Sequence, residues 1–451
     1  MIRIFKSQSL KGFLMLLSLV LLPVLLHAQG STIPSIGPIR VEFILFGLTL
    51  IGVALFHKHT MYVALTGLVV VMAFKLIFDP AFNTAEHFFG GPHEEGEWRI
   101  LLNLMGLLFG FAILAKHFEE SKVPDVLPKF LPNDWKGGLV LLFLIMFISS
   151  FLDNIAAAMI GGAIAMVVFK GKVHLGFLAA IVAASNAGGA GSVVGDTTTT
   201  LMWIDGVDPV WVFPAFIASL ASFIIFGVVG SIQQDRFQRI VKSSVQGISV
   251  DKGKLFIVFL ILVCAIITNY TLDFPAAGVW IAIFIGTLFS KTPWYEMKNS
   301  WKGTIFLMSL VTIASLMPVE ELPPASWQSA FALGFVSAVF DNIPLTKLCL
   351  DQGGYDWGML AYSVGFGGSM IWFGSSAGVA LSNMYPEAKN TVNYLKKGWH
   401  VAVAYVFGFF VMFGIHGWQP HPQHKDVQPT EINDQHSNLL DQPDNTEHSG
   451  K

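Results

Sequence analysis

The segment SNAGGAGSVVGDTTTTLMWI, residues 185–204, places an aspartate and four consecutive threonines inside otherwise apolar sequence. A charge at the centre of a membrane span costs roughly 2.5–3.5 kcal/mol on insertion scales, so such residues indicate a polar function. Hard cations prefer the oxygen atoms of Asp, Asn, Ser and Thr as ligands. Asp196 is therefore predicted to bind a cation or carry a proton. The hydroxyls of Thr199 and Thr200 can instead satisfy carbonyls of the preceding turn.

A second polar pattern occurs twice in the chain. The sequence SFLDNI at 150–155 is matched by AVFDNI at 338–343, which places Asp-Asn pairs at 153–154 and 341–342. Asp and Asn favour helix N-cap positions. Capping does not exclude ion contact, because a helix N-terminus capped inside a membrane is a suitable place for a binding site.

The composition indicates a polytopic membrane protein. Hydrophobic residues make up 53% of the chain and charged residues 13%, compared with about 25% charged residues in soluble domains. The net charge of −3 does not bear on nucleic acid, but the sequence has no basic patch interleaved with aromatic residues, so no nucleic-acid partner is expected. Basic residues ahead of an apolar run predict a signal peptide at 1–28, and an uncleaved first span is the alternative.

The apolar runs divide into two kinds. Uninterrupted runs occur at 39–56, 61–78, 99–116, 209–230, 254–271, 276–290, 303–317 and 398–417. The segments 137–170, 175–204, 327–351 and 357–384 are interrupted by Gly, Asp, Asn, Ser or Thr.

Lys and Arg in the short loops predict which side of the membrane each loop occupies. They place the linker 232–253 in the cytoplasm, provided that 137–170 returns to the cytoplasm and 327–351 returns to the outside. Hairpin arms of about 14–16 residues reach only about 21–24 Å, short of a hydrocarbon core of about 30 Å. Both segments are therefore predicted to be re-entrant hairpins.

The interrupted segments form an internal repeat. Gly188-Gly189 and Gly195 recur with the same six-residue step as Gly367-Gly368 and Gly374, and these glycines are expected to let the backbone unwind. The predicted fold is an all-α polytopic membrane protein with two inverted-topology repeats, each containing a re-entrant hairpin and a discontinuous transmembrane helix. That pattern is typical of secondary transporters. The repeats span 39–231 and 254–417, and a disordered polar tail follows at 418–451.

These motifs, with SAVFDNIPLT and GFGGSMIWFGSSAGVA, resemble the NhaD-type sodium/proton antiporters of the ion-transporter superfamily. That superfamily also contains arsenite and di/tricarboxylate carriers. The resemblance implies a non-enzymatic exchanger of sodium or lithium for protons, without a cofactor, in a bacterial inner membrane and often a homodimer. The implied ion-site residues are Asp153, Asn154, Asn186, Asp196, Thr198, Thr199, Asp341, Asn342, Ser375 and Ser376.

Three features depart from the family pattern. Gly191 stands where the family commonly has Trp, and Val193-Val194 replaces a Pro-containing pair. Lys347 aligns with Met159 of the first hairpin and is interpreted as an internal counter-ion that pairs with Asp341. The alternative is that the lysine extends along the hairpin to the external surface.

Two other function classes compete with cation exchange. An anion or carboxylate carrier of the same superfamily would favour cationic contacts, for which only Lys347 argues. An intramembrane aspartyl protease would use Asp153 and Asp196, but VVGDT lacks the first glycine of the Gly-x-Gly-Asp pattern. The acidic and histidine-containing loop at 87–97 is interpreted as a solvated external loop.

Overall fold

The computed structural model describes residues 34–421 apart from 38, 57–58, 92–95 and 242–248. The predicted signal peptide and the tail beyond residue 421 lie outside the described residues, as does the centre of the linker 232–253. The described part is mostly helical. A two-residue antiparallel pair, Ser35–Ile36 (β1) with Ile39–Arg40 (β2), precedes the helices.

The first half of the chain contains eleven α-helices among the described residues. They are α1 (Val41–Leu55), α2 (Thr60–Phe78), α3 (Thr84–Phe89), α4 (Trp98–Glu120), α5 (Val123–Val126), α6 (Trp135–Ser149), α7 (Asn154–Val168), α8 (Leu175–Ala190), α9 (Thr197–Ile204), α10 (Pro209–Val212) and α11 (Ala215–Phe237).

The second half adds nine α-helices within the same described residues. They are α12 (Lys252–Leu272), α13 (Pro275–Gly286), α14 (Tyr295–Ser315), α15 (Trp327–Ser337), α16 (Asn342–Gln352), α17 (Trp357–Gly367), α18 (Ser376–Met384), α19 (Thr391–Lys397) and α20 (Trp399–His416).

Among the residues that the structure describes, five helical stretches are long and apolar enough to cross a membrane. They are Thr60–Phe78, Trp98–Val126, Pro209–Phe237, Lys252–Leu272 and Trp399–His416. The boundaries differ most at α14, which begins at Tyr295 rather than near 303. Its first two turns are polar, so hydropathy does not reveal them, although a helix already nucleated propagates through such residues at low cost.

Each of the four interrupted segments consists of two helices separated by an irregular break. The breaks lie at 150–153, 191–196, 338–341 and 368–375. The helix after each break begins with a polar N-cap residue, and these are Asp153, Asp196, Asp341 and Ser375. The polar residues of the apolar runs therefore mark the helix breaks.

The helices pack as two groups. The core bundle is formed by α6–α11 and α15–α20, and its centre is the pair α8 and α17, whose residues are buried almost throughout. The scaffold bundle is formed by α1, α2, α4, α12, α13 and α14. The two bundles meet where α14 packs against α16 and where α4 packs against α9.

Candidate functional site

Three of the predicted site residues meet where the first broken helix faces the first hairpin. The Nδ2 atom of Asn154 donates to Oδ2 of Asp196 at 3.1 Å and to Oδ1 of Asn186 at 3.0 Å. The other oxygen of Asp196, Oδ1, accepts a 3.0 Å hydrogen bond from the backbone N–H of Thr198, which caps α9. All three side chains are buried. One amide thus orients the carboxylate from a helix 42 residues earlier in the chain.

A residue that the sequence did not single out completes this network. The Nδ2 atom of Asn186 donates to Oγ of Ser369 at 2.9 Å, and Ser369 belongs to the break between α17 and α18. The buried serine therefore connects the two helix breaks. Ala190 occupies the matching position in the first half, so the repeat offered no polar counterpart that could have indicated Ser369.

Asp153 and Asp196 line one cavity of about 290 Å³, here called the inner cavity. Its wall includes Thr197 and Thr200, and most of the remainder is apolar, including Leu104 and Leu107. Asp153 occupies the N-cap position of α7 without a side-chain capping hydrogen bond. Its carboxylate lies in the wall of the same cavity as the carboxylate of Asp196.

The threonines of the TTTT run have different roles. The hydroxyl of Thr199 donates to the carbonyls of Ser192 at 2.6 Å and Asp196 at 2.9 Å, and Thr200 bonds Val193 and Asp196 in the same way. These two hydroxyls are thus satisfied by backbone carbonyls and hold the broken segment in shape. Within the described residues, the Thr198 hydroxyl is buried without a hydrogen-bond partner.

The second-half residues surround a neighbouring cavity of about 480 Å³, here called the second cavity, whose wall includes Asp341, Ser375 and Ser376. Oδ1 of Asp341 accepts from the backbone N–H of Ile343 at 3.1 Å, and Asn342 is buried at the start of α16. The wall residues Ile155, Gly303 and Leu307 are common to the inner and second cavities. Five of the ten predicted residues therefore line two adjoining cavities, and they are Asp153, Asp196, Asp341, Ser375 and Ser376.

Corresponding residues of the two halves make corresponding contacts. The Ser149 hydroxyl donates to the carbonyl of Ser185 at 2.5 Å, and the Ser337 hydroxyl donates to the carbonyl of Val364 at 2.6 Å. Each bond ties the end of a hairpin's first helix to the helix before a break.

The glycines next to the breaks have a steric role. None of the six glycines has a φ in the left-handed region, so the backbone conformation does not itself require glycine there. A Cβ on Gly195 would collide with the carbonyl oxygen of Ser149, and one on Gly374 would lie 2.5 Å from the carbonyl oxygen of Ala338. Close approach of backbone carbonyls therefore favours glycine at these two positions, and a role of the six glycines in unwinding stays a prediction.

Lys347 is buried, but its predicted pairing with Asp341 is wrong. Its Nζ atom lies 2.6 Å from Oδ1 of Asp351, 2.9 Å from Oε1 of Glu97 and 3.9 Å from Oδ1 of Asp205. Asp351 is four residues further along α16 and shares a helix face with Lys347, whereas Asp341, six residues earlier, does not. Lys347 extends away from the hairpin tip, and Glu97 contacts a buried lysine instead of lying in a solvated loop.

A larger cavity, here called the vestibule, leads from the inner cavity to one end of the helices. It has a volume of about 700 Å³, lies between α4 and α7, and is lined near its mouth by Lys116, Glu119 and Lys122. The vestibule and the inner cavity share Ala112, Ala115, Ala156 and Glu296. The vestibule therefore adjoins the cavity that Asp153 and Asp196 line, on the side of these charged residues.

The apolar helices are those of a polytopic membrane protein, and comparison with known proteins agrees. No protein-family model matches the chain. It is 28% identical to sodium/proton antiporter 1 of Arabidopsis thaliana, over 63% of this chain and 56% of that protein. It is 25% identical to the Na(+)/H(+) antiporter NhaD of Alkalimonas amylolytica, over 61% of this chain and 68% of that protein.

A third relative, the Na(+)/H(+) antiporter NhaD of Halomonas elongata, is 26% identical over 69% of this chain and 76% of its own length. The chain thus spans little more than half of the Arabidopsis protein and most of the bacterial ones. The resemblance to NhaD-type antiporters is confirmed by these relatives.

Proposed function

We propose that this chain is a secondary transporter that exchanges sodium or lithium for protons, with Asp153 and Asp196 as the exchanging carboxylates. The observation that carries the proposal is that both carboxylates line one cavity at a helix break, with Asn154 bonded to Asp196. A group that binds a cation and a proton in turn must be ionisable, and both carboxylates meet that requirement. The names of the relatives support sodium and protons as substrates.

The remaining candidates have supporting roles in this proposal. The buried hydroxyl of Thr198 provides an additional oxygen ligand beside Asp196, while Asn186 positions Asn154. Thr199 fixes the shape of the break through its backbone contacts. In the second half, Asp341, Asn342, Ser375 and Ser376 form a second site around the adjoining cavity.

The proposal includes two inverted repeats at 39–231 and 254–417, joined by a cytoplasmic linker at 232–253. The matched bonds of Ser149 and Ser337 support a repeat. The hairpin arms have 15 residues in the first hairpin and 11 in the second. At 1.5 Å per residue they reach about 22 Å and about 16 Å, which is too short for a full span and supports re-entry.

The orientation follows from the distribution of basic residues. Lys116 and Lys122 at the mouth of the vestibule belong to the set of lysines and arginines that predicts the cytoplasmic side. We therefore assign the vestibule to the cytoplasm and the C-terminal tail to the outside of an inner membrane.

Carriage of an organic anion is not favoured. The charged side chains in the walls of the inner and second cavities are Asp153, Asp196, Asp341 and Glu296, all of them acidic. The one residue that argued for an anion, Lys347, is neutralised by carboxylates outside these cavities. Peptide-bond hydrolysis is not favoured either, because the relatives are transporters and not enzymes.

The test is proton movement in everted membrane vesicles that contain the full chain, followed with a fluorescent pH dye. Addition of sodium or lithium is expected to dissipate an established proton gradient, with potassium as the comparison cation. Citrate and arsenite are added in separate arms. A response to either anion without a response to any cation would contradict the proposal.

A homodimer is part of the proposal through the family resemblance alone. The mass of the detergent-purified protein, measured by light scattering with the detergent subtracted, tests it. A monomer mass at all protein concentrations would remove the dimer and leave the exchange proposal intact.

A further inference from the structure

We propose that Lys347, Glu97 and Asp351 form an ion-pair lock that closes the external route to the Asp153–Asp196 site. These three residues are here called the lock, and the inference rests on the proposed exchange by alternating access. The Lys347 side chain is 1% exposed. Its ammonium contacts the carboxylate of Asp351 on the same helix and the carboxylate of Glu97 at the start of α4. The lock therefore joins the core bundle to the scaffold bundle.

The two ends of the molecule differ in how the bundles meet. At the cytoplasmic end the vestibule of about 700 Å³ separates α4 from α7. At the opposite end α14 packs against α16, and α4 packs against α9. The site is thus open towards one side and sealed towards the other, as one state of an alternating-access transporter must be.

The repeat shows which residues distinguish the sealed end from the open one. Lys347 corresponds to Met159, and Met159 lies in the wall of the vestibule. Glu296, in the first turn of α14, also lines the vestibule, just as Glu97 stands at the N-cap of α4. At the open end, therefore, a methionine and a glutamate face a cavity. At the sealed end a lysine and a glutamate are bonded to each other.

The lock also lies at the far end of the helix that carries the site. Helix α9 begins after Asp196 and ends before Asp205, whose Oδ1 atom is 3.9 Å from Nζ of Lys347. Eight residues of α-helix separate the two ends by about 12 Å. A displacement of α9 when Asp196 exchanges a proton for a cation would therefore move Asp205 relative to Lys347.

The pairing explains why the sealed end stays closed until it is driven open. A buried ammonium requires a partner, because an isolated charge in a low-dielectric interior is strongly disfavoured. If the bundles separated at this end, Lys347 would keep Asp351 within its own helix but would lose Glu97. Removing the charge of Glu97 should therefore weaken closure while Lys347 keeps a partner and the fold survives.

The experiment measures access to the inner cavity without any ion gradient. A single cysteine replaces Leu108, a wall residue of that cavity, in a background that carries Cys264→Ala and Cys349→Ala. A membrane-impermeant thiol reagent is applied to intact cells and, separately, to everted vesicles. Glu97→Gln and Lys347→Met are each expected to raise the rate of labelling from outside by at least about fivefold, the lower end of common conformational couplings.

Lys75→Met provides the matched control. Lys75 pairs with Asp79 at 3.1 Å, also with a spacing of four residues, and both residues of this pair belong to α2 or its C-cap. The external labelling rate of this variant should equal that of the parent. Equal external rates in the parent, Glu97→Gln and Lys347→Met would overturn the lock.

The outcome is separable from that of the proposed function, because labelling requires neither sodium nor a proton gradient. Faster external labelling without cation-dependent proton movement would retain the lock and reject the exchange. Glu97→Gln keeps the size and hydrogen-bonding capacity of the side chain, so it answers the question even if Lys347→Met fails to fold.

Discussion

Asn154, the first residue of α7, donates a 3.1 Å hydrogen bond to the carboxylate of Asp196, the N-cap of α9. The bond joins the tip of one helix pair to the break in another, so neither element can move without affecting the carboxylate. The second amide contact, from Asn154 to Asn186, extends this coupling into α8, a helix of the core bundle that is buried almost throughout. The site is therefore a junction of three separate elements.

Replacing either cavity carboxylate should abolish exchange without unfolding the protein. Asp196→Asn preserves an N-cap residue for α9, since Asn caps as well as Asp does, but removes the ionisable group. Cation-dependent proton movement in vesicles should fall to background in Asp196→Asn and in Asp153→Asn. The control is Asp208→Asn, which changes an exposed N-cap whose Oδ1 accepts from Val210. Full exchange in Asp196→Asn would reject this assignment.

Substitutions in the threonine run should distinguish residues that bind the ion from residues that maintain the shape of the helix break. Thr198→Val removes a buried hydroxyl that has no protein partner among the described residues, so it should weaken sodium activation more than it lowers thermal stability. Thr200→Val removes bonds to Val193 and Asp196 and should lower stability by about 1–3 kcal/mol, because the Val193 carbonyl loses its hydroxyl partner. Half-saturating sodium and unfolding temperature are measured for each variant. Thr198→Ser should restore sodium activation, and an unaltered response in Thr198→Val would contradict the ligand role.

Loss of the link between the two breaks should reduce apparent sodium affinity moderately. Ser369→Ala leaves Nδ2 of Asn186 without its 2.9 Å acceptor, and a typical hydrogen bond contributes about 1 kcal/mol, or roughly fivefold in affinity. The half-saturating sodium concentration of the vesicle assay reports the change. Ser382→Ala is the control, because that hydroxyl bonds the carbonyl of Val379 within its own helix. Equal shifts in the two variants would assign the effect to general loss of serine hydroxyls.

Both ends of each hairpin should be exposed on the same side of the membrane, and the side should differ between the two hairpins. Cysteines at Lys136 and Lys172 flank the first hairpin, and cysteines at Glu320 and Gln352 flank the second. In a background without native cysteines, an impermeant reagent should reach the first pair from the cytoplasm and the second pair from outside. If the two members of either pair react from different sides, that hairpin crosses the membrane and the inverted repeat fails.

Acid should loosen the attachment of α3 through His87. Burial lowers the pKa of His87 below its usual 6.5, Lys347 and Lys75 lower it further, and Glu97 opposes the shift. A histidine whose pKa is lower in the folded than in the unfolded state contributes stability above pH 6.5 and loses it as the pH falls below that value. The unfolding temperature should therefore drop more between about pH 7.5 and about pH 5.5 in the parent than in His87→Gln.

The Nε2 atom of His87 lies 3.2 Å from Oγ of Ser315, the last residue of α14. This is the contact that loss of His87 packing at low pH is expected to weaken. His416→Gln, at the end of α20, controls for the removal of an imidazole elsewhere on the molecule. An identical pH profile in the parent and in His87→Gln would show that this histidine does not set the acid sensitivity.

The helix breaks could be predicted from the sequence because each one interrupts an apolar run with residues that are costly in hydrocarbon. Asp153, Asp196 and Asp341 were singled out for that reason, and each proves to be an N-cap. The repeated SFLDNI and AVFDNI motifs likewise located helix pairs. Local patterns of this kind are informative because capping and periodicity are local effects.

The contacts across the molecule could not be predicted in the same way. Glu97 lies 250 residues from Lys347, and nothing in either local sequence indicates that docking of the two bundles brings them together. Ser369 was missed because serine is common at loops and its partner Asn186 is 183 residues away. Asp341 was chosen as the partner of Lys347 on proximity in sequence, although helix geometry favoured Asp351.

The vestibule has an electrical consequence. A water-filled cavity conducts far better than hydrocarbon, so a membrane voltage would fall mainly across the sealed half of the protein instead of evenly over its thickness. Each elementary charge that crosses the whole field gains about 2.3 kcal/mol per 100 mV. In the proposed orientation the vestibule opens to the cytoplasm, and most of that energy would be available over the short path between the inner cavity, which Asp196 lines, and Glu97. Voltage sensitivity would then reside in the sealed contact between α9 and α16.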